Sequence, residues 1–236
     1  IFILPTLAAF IIGFIVPFVE GLYLSFCKFT TVGNATWVGL ANYRAAITDT
    51  SFQRAFGFTV LFAVVSILSI NILAFALAVL LTQKLRGTNV FRTVFFMPNL
   101  IGGIVLGYIW QLLLNGILMK FSRTLTYSST YGFWGLIILM CWQQIGYMMI
   151  IYIAGIQNIP GELIEAAEID GATKWQILKK VTIPMVMPSI TVCTFLTLTN
   201  SFKLFDQNLA LTNGEPVSYT HLRAHDTTLH LVCRLL

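Results

Sequence analysis

Charge vanishes from this chain in long blocks. No Asp, Glu, Lys or Arg occurs at positions 1–19, 55–83, 93–119, 124–161 or 181–202, and the charged residues gather in the gaps between. Each block holds a stretch of about 20 apolar residues, the length a helix needs to cross the hydrocarbon core of a bilayer. Inside lipid a backbone has to satisfy its own hydrogen bonds, so uninterrupted runs of this kind read as helices rather than strands. The composition agrees: 57% of the 236 residues are apolar and 10% charged, where soluble domains carry about 25% charged. Such a chain cannot coat a water-facing surface, which excludes a soluble globular enzyme. The reading is an all-α polytopic membrane protein with five transmembrane helices, at about 1–26, 55–82, 93–114, 132–156 and 183–203.

The net charge of +5 comes from 14 Lys and Arg scattered along the whole chain. That scatter forms no continuous basic stripe for a phosphate backbone, so nucleic acid is not an expected partner; the basic excess belongs at lipid headgroups. Of the four cysteines, Cys141 and Cys193 fall inside apolar windows, and no disulfide framework or metal spacing follows. The first span runs past Pro17 without a small-residue cleavage site, which distinguishes it from a signal peptide. The segment between the first two spans, with Gly33, Asn34, Trp37, Gly39, Asn42, Arg44 and Asp49, reads as a loop with a short interfacial helix. With the N-terminus inside, the two sides carry equal numbers of basic residues. Density favours that orientation, since Lys84, Arg86 and Arg92 crowd into positions 82–92.

Residues 157–182 are too charged for lipid and too well punctuated for disorder. Asn158 and Pro160 are helix-start residues, Glu162 and Glu165 suit the positive end of a helix dipole, and Gly171 suits a left-handed stop, which predicts a helix over 161–170. Thr173 and Gln176 make a capping-box pattern that starts a second helix reaching Lys180, after which Pro184 opens the last span. The product is a helix-turn-helix wedge. Leu163, Ile164, Ala167 and Ile169 offer apolar contact, Ala166 and Ala167 allow close approach, and Glu165, Glu168 and Asp170 supply charge. Physics alone leaves two readings: a lever pressing on a partner outside the membrane, or a loop lying on the membrane surface with Trp175 as its anchor.

The string Glu165-Ala166-Ala167, three residues, Gly171, nine residues, Val181-Thr182-Ile183-Pro184 resembles the EAA signature of permease subunits of bacterial ABC importers. Further segments resemble the sugar-importing branch: Trp37-Val38-Gly39-Leu40-Ala41-Asn42-Tyr43, Lys84-Leu85-Arg86-Gly87 with Phe91 to Pro98, and Phe205-Asp206 before Leu211-Thr212-Asn213-Gly214. The resemblance covers about residues 1–214. It implies a type I importer permease in the bacterial inner membrane that pairs with a second permease subunit and two ATP-binding subunits. An extracytoplasmic solute-binding protein would deliver the cargo. It also implies that ATPase coupling runs through Glu165, Ala166, Ala167, Asp170, Gly171 and Pro184. ATP and magnesium would belong to the partner ATPase, for this chain has no phosphate-cradling G-x-x-x-x-G-K-[ST] loop.

Polar side chains inside spans tend to face a bundle interior or a cavity. Asn71, Asn99, Gln111, Gln143, Gln144 and Asn200 are such residues, with Asp206 at the outer end of the last span. Amides both donate and accept hydrogen bonds without selecting for charge, which suits a neutral polyol. Asn99, Gln111 and Asn200 are the candidate path residues; interhelical bonding is the alternative role. Gly102, Gly103 and Gly107 read as close helix contacts, and Trp110, Trp134 and Trp142 as belt or packing residues. A secondary transporter would need ionisable groups within the spans, and only Glu20, near one end, approaches that. A membrane enzyme would need a catalytic cluster at a membrane face, and none is apparent before residue 215. Residues 215–236 carry His221, His225, His230 and Cys233, a string that invites a zinc reading. Pro216 to Asp226 instead resembles translated sequencing-adapter read-through, so no metal site is assigned there. The natural protein is expected to continue differently after about Gly214, with the sixth span of the family.

Overall fold

The computed structural model describes residues 3–29, 34–83 and 87–212. Lys84, Arg86 and the whole segment 213–236, with its histidines, lie outside the described residues, as do the side chains of Thr126, Phe205 and Asp206. Two compact units are present, one formed by residues up to Phe58 and the other by Thr59–Val217.

In the first unit, helix α1 (Leu4–Leu24) carries a π-helical turn at Ile11–Ile15 just before Pro17. Proline lacks an N–H and crowds the carbonyl four residues back, and widening the preceding turn relieves that clash. Phe10, Phe14 and Phe18 stack at i, i+4 spacing along the exposed face, with centroids 5.2 and 6.2 Å apart. The polar segment that follows folds into a two-residue hairpin, β1 (Cys27–Lys28) with β2 (Thr36–Trp37), and a helix α2 (Ala41–Thr48). The interfacial helix matches expectation, whereas the strands carried too few residues to show any alternation. Asn42 explains its own place in the motif: its amide donates to the carbonyls of Ser25 (3.1 Å) and Cys27 (2.9 Å), tying the hairpin to the helix. Trp37 packs on Phe26 and Tyr23.

Helix α3 (Thr50–Thr82) has 33 residues; at 1.5 Å per residue it is about 50 Å long, well beyond the ~30 Å apolar core. Near its C-terminal end Arg92 of helix α4 (Thr88–Phe96) donates to the Leu81 carbonyl at 3.3 Å, a cation on the negative end of the helix dipole. Helix α5 (Gly103–Leu118) and the long α6 (Ser129–Gln157) follow. Beyond a short polar segment come α7 (Gly161–Ile169), α8 (Lys174–Met185), α9 (Met187–Phe202) and α10 (Phe205–Thr212). The centre of the second unit is α6: 61% of its span is buried, against 28% for α3 and 11% for α5.

Among the described residues, four helices are long and apolar enough to span a bilayer, and α8 with α9 makes a fifth if that bent pair is one span. Two expected boundaries move. The span expected at 93–114 is not one helix: Pro98 stands in a 3-10 turn (Met97–Leu100), Ile101 and Gly102 are extended, and the apolar helix restarts at Gly103. The last span does not open at Pro184. That proline sits inside α8 behind a second π turn, Leu178–Thr182, and the chain bends by 67° at Val186 before Pro188 helps start α9.

Glycines set the closest helix contacts. Gly146 of α6 lies against the backbone of Phe95 and Phe96, Gly107 of α5 faces Ala210 of α10, and Gly155 faces Ser189 of α9. The expected role of Gly103 and Gly107 in close approach is thus met against α10, while Gly102 serves the break instead.

Candidate functional site

The wedge is built by two capping devices. At the end of α7, Gly171 adopts φ +76°. Its N–H donates to the Glu168 carbonyl (3.0 Å) and that of Ala172 to the Ala167 carbonyl (2.9 Å). Those two bonds form a complete Schellman motif, with glycine where a Cβ would be strained. Two residues later the expected capping box is present: the Thr173 hydroxyl accepts from the Gln176 N–H (3.4 Å), and the Gln176 side chain accepts from the Thr173 N–H (2.7 Å). Back-to-back stop and start signals fix the angle between α7 and α8 without any long-range contact.

The two faces of α7 differ. Glu162, Glu165, Ala166 and Ile169 point outward, Ile169 with 85% of its surface exposed. Half-buried Ile164 and, at its exposed rim, Glu168 line a cavity of about 680 Å³ shared with the last turns of α3 and α6 and with α8. The apolar residues expected to act together are therefore divided, with Leu163 and Ile169 exposed and Ile164 and Ala167 half-buried. Asp170 caps the helix end beside Gly171 and is exposed. Pro184 is exposed well along α8 and forms no part of the wedge tip.

Within the bundle the polar residues form a seam along α6. Tyr152 donates its hydroxyl to Asn71 Oδ1 (2.7 Å), and Asn71 Nδ2 donates to the Ile67 carbonyl (2.8 Å) and to Thr197 Oγ1 (3.4 Å). Nearby, Asn200 Nδ2 donates to Gln144 Oε1 at 3.1 Å. Gln207 donates to Gln143 Oε1 (3.5 Å), whose own amide donates to the Ile101 carbonyl (3.4 Å) in the broken segment. That last bond answers the carbonyl left open where α4 and α5 separate, the condition under which irregular backbone survives at membrane depth. Asn200 is thus held by a neighbour, while Asn99 and Gln111 are half-buried with no side-chain hydrogen bond among the described residues. Gln207, Tyr152 and Thr197 went unnoticed in the sequence. Pro98 followed by Gly102-Gly103 within an apolar window was the signal that would have located the break and its partners.

Among the described residues no group of three or more His, Cys, Asp or Glu is placed to hold a metal ion. An exposed wedge, a bent helix pair and a seamed apolar bundle define the class, a polytopic helical membrane protein.

Residues 86–227 match the family described as binding-protein-dependent transport system inner membrane component, and the chain belongs to that family. It is 43% identical over 231 residues to the probable starch degradation products transport system permease protein AmyD of Thermoanaerobacterium thermosulfurigenes, covering 94% of this chain and 79% of that protein. It is 31% identical over 229 residues to the multiple sugar-binding transport system permease protein MsmF of Streptococcus mutans, covering 93% and 79%. Its fold is similar to a chain of a bacterial ABC transporter involved in import of the acidic polysaccharide alginate, with a TM-score of 0.79, 22% identity and coverage of 99% of this chain and 86% of that one. A second structure of such a transporter, in complex with an alginate pentasaccharide-bound periplasmic protein, gives the same TM-score at 20% identity, covering 99% and 84%. The chain is accordingly a multi-pass inner-membrane permease component of an ABC importer and not itself an enzyme.

Proposed function

We propose that this chain forms part of the translocation path for a neutral oligosaccharide or related polyol and takes its drive through the outward face of α7. Two ATP-binding subunits, carrying ATP and magnesium, would receive Glu165, Ala166 and Ile169. A second permease subunit would complete the path, and an extracytoplasmic solute-binding protein would deliver the cargo. The observation that carries this reading is the rigid, exposed wedge: α7 ends in a glycine-specific stop, α8 begins in a capping box, and Ile169 is left 85% exposed between acidic neighbours. A bare isoleucine flanked by carboxylates suits a protein cleft better than lipid headgroups. The relatives named for starch degradation products and multiple sugars support a carbohydrate cargo. Asn99, on the broken segment, and Gln111, neither with a side-chain hydrogen bond among the described residues, are the amides proposed to meet the sugar; Asn200 reaches it through its bond with Gln144.

The test is a cysteine placed at position 169 (Ile169→Cys) in the assembled transporter. Crosslinking to the ATP-binding subunit in a nucleotide-dependent manner is the expected result. Crosslinks to lipid or to this subunit alone overturn the reading.

A further inference from the structure

The cavity behind α7 has a chemistry that the lever does not use. Its walls combine Val79 and Ile156, from the last turns of two spans, with Ile177 and Leu178 of α8. Two opposite charges line it, Glu168 from α7 and Lys174 from the first turn of α8. Neither has an ion-pair or hydrogen-bond partner for its side chain among the described residues, although they share one space. Gln83 and the indole of Trp175 add uncharged donors, while the Thr82 hydroxyl is committed to the Val79 carbonyl (2.9 Å). At about 680 Å³ the cavity falls in the range of about 300–1,000 Å³ typical of small-ligand sites.

We infer that this cavity seats a zwitterionic aminophospholipid of the phosphatidylethanolamine type. Lys174 and the neutral donors take the phosphate, Glu168 takes the ammonium, and the acyl chains run down Val79 and Ile156 into the bilayer. The location fits, because two walls come from the last turns of apolar helices, and Trp175 is a residue type that favours the membrane–water interface. Charge complementarity selects the headgroup. An anionic lipid would answer Lys174 and bring no cation to Glu168. A choline headgroup has no N–H to give the carboxylate. A soluble zwitterion would leave the apolar wall uncovered. The site and the ATPase reading rest on different side chains, since Ile164 and Glu168 line the cavity and Glu162 and Ile169 do not.

The experiment reconstitutes the chain in nanodiscs of mixed phosphatidylethanolamine, phosphatidylcholine and phosphatidylglycerol, then counts retained lipids by native mass spectrometry after mild detergent release. Retained lipid should be enriched in phosphatidylethanolamine over the starting bilayer. Glu168→Gln and Lys174→Gln should each cut that enrichment about threefold, the scale of one exposed charge contact, while Lys174→Arg and Glu162→Gln leave it in place. Retention at bilayer proportions, preferential retention of phosphatidylglycerol, or enrichment that survives Glu168→Gln each overturns the proposal. Loss of enrichment in Lys174→Arg as well as Lys174→Gln also overturns it, since shape and not charge would then govern retention. Failure here leaves crosslinking from position 169 unaffected, so the two readings fall separately.

Discussion

Gly171 offers a perturbation whose energetics separate cleanly into one cause. A Cβ built on it meets nothing within 4 Å, so no neighbour resists a side chain there. What resists is the backbone itself: at φ +76° an L-residue places Cβ against its own carbonyl, at about 1–2 kcal/mol. Asparagine tolerates this region better than alanine, and a β-branched residue tolerates it least. The expected order of damage is therefore Gly171→Asn, then Gly171→Ala, then Gly171→Val. Valine would relieve its strain by unwinding the Schellman turn and releasing the bonds from Gly171 to Glu168 and from Ala172 to Ala167. Because the turn is exposed and distant from the buried part of α6, thermal stability of the bundle should change little across the series. Uptake driven by ATP in the reconstituted transporter should fall in that order, and hydrolysis by the ATP-binding subunits should lose its dependence on loaded binding protein in parallel. Equal damage from asparagine and valine, or full transport by the valine variant, refutes the argument that a left-handed glycine sets the wedge angle.

Two further predictions concern the bundle. Gly146→Ala drives a methyl into the backbone of Phe95 and Phe96, which cannot swing aside, and should destabilise the protein by about 1–3 kcal/mol in detergent unfolding. Gly116→Ala, which meets nothing within 4 Å, should instead be neutral or stabilising by about 0.5–1 kcal/mol, so equal effects at the two positions would sink the packing assignment. Tyr152→Phe removes the donor to Asn71 Oδ1, at a cost of about 1 kcal/mol on the scale measured for bonds between membrane helices. Combined with Asn71→Leu it should cost less than the two single changes added, and strict additivity in a double-mutant cycle would show that the pair does not interact.

The wedge was legible because its signals are local. Pro160, Gly171, Thr173 and Gln176 each act through backbone groups within five residues, and every one of them occupies its expected role. Helical class and number of spans were legible for a similar reason, since the length of an apolar run is a one-dimensional property. The polar seam was less so. Which amide meets which neighbour depends on helix rotation, and a span apolar on all sides carries little periodic signal to fix that rotation. Asn200 looked equivalent to Asn99 and Gln111 in sequence, yet among the described residues only Asn200 finds a side-chain partner, across 56 positions, in Gln144. The break at 97–102 was hidden by its own hydrophobicity, because Leu100 and Ile101 keep the window apolar while Pro98 and Gly102 end the helices on either side.

The two π turns explain how one chain holds both a rigid wedge and a bent span. Each lies just ahead of a proline, Ile11–Ile15 before Pro17 and Leu178–Thr182 before Pro184. In each case the extra residue absorbs the missing N–H, and the helix continues instead of stopping. In α8 that continuity matters mechanically. The capping box at Thr173 and the bend at Val186 are joined by one helix with no loop between them, so a rotation imposed on α7 reaches Val186 without being lost in a flexible linker. At the bend, Val186 is fully buried and Gly155 of α6 admits Ser189 too closely for any larger residue. Close packing of this kind leaves little room for side-chain rearrangement between α9 and α6. The Asn200–Gln144 bond ties α9 to α6, and the Asn71–Thr197 contact ties α9 to α3. A shift of one residue along α9 would break both, so the amide seam holds α9 in register against two neighbouring helices.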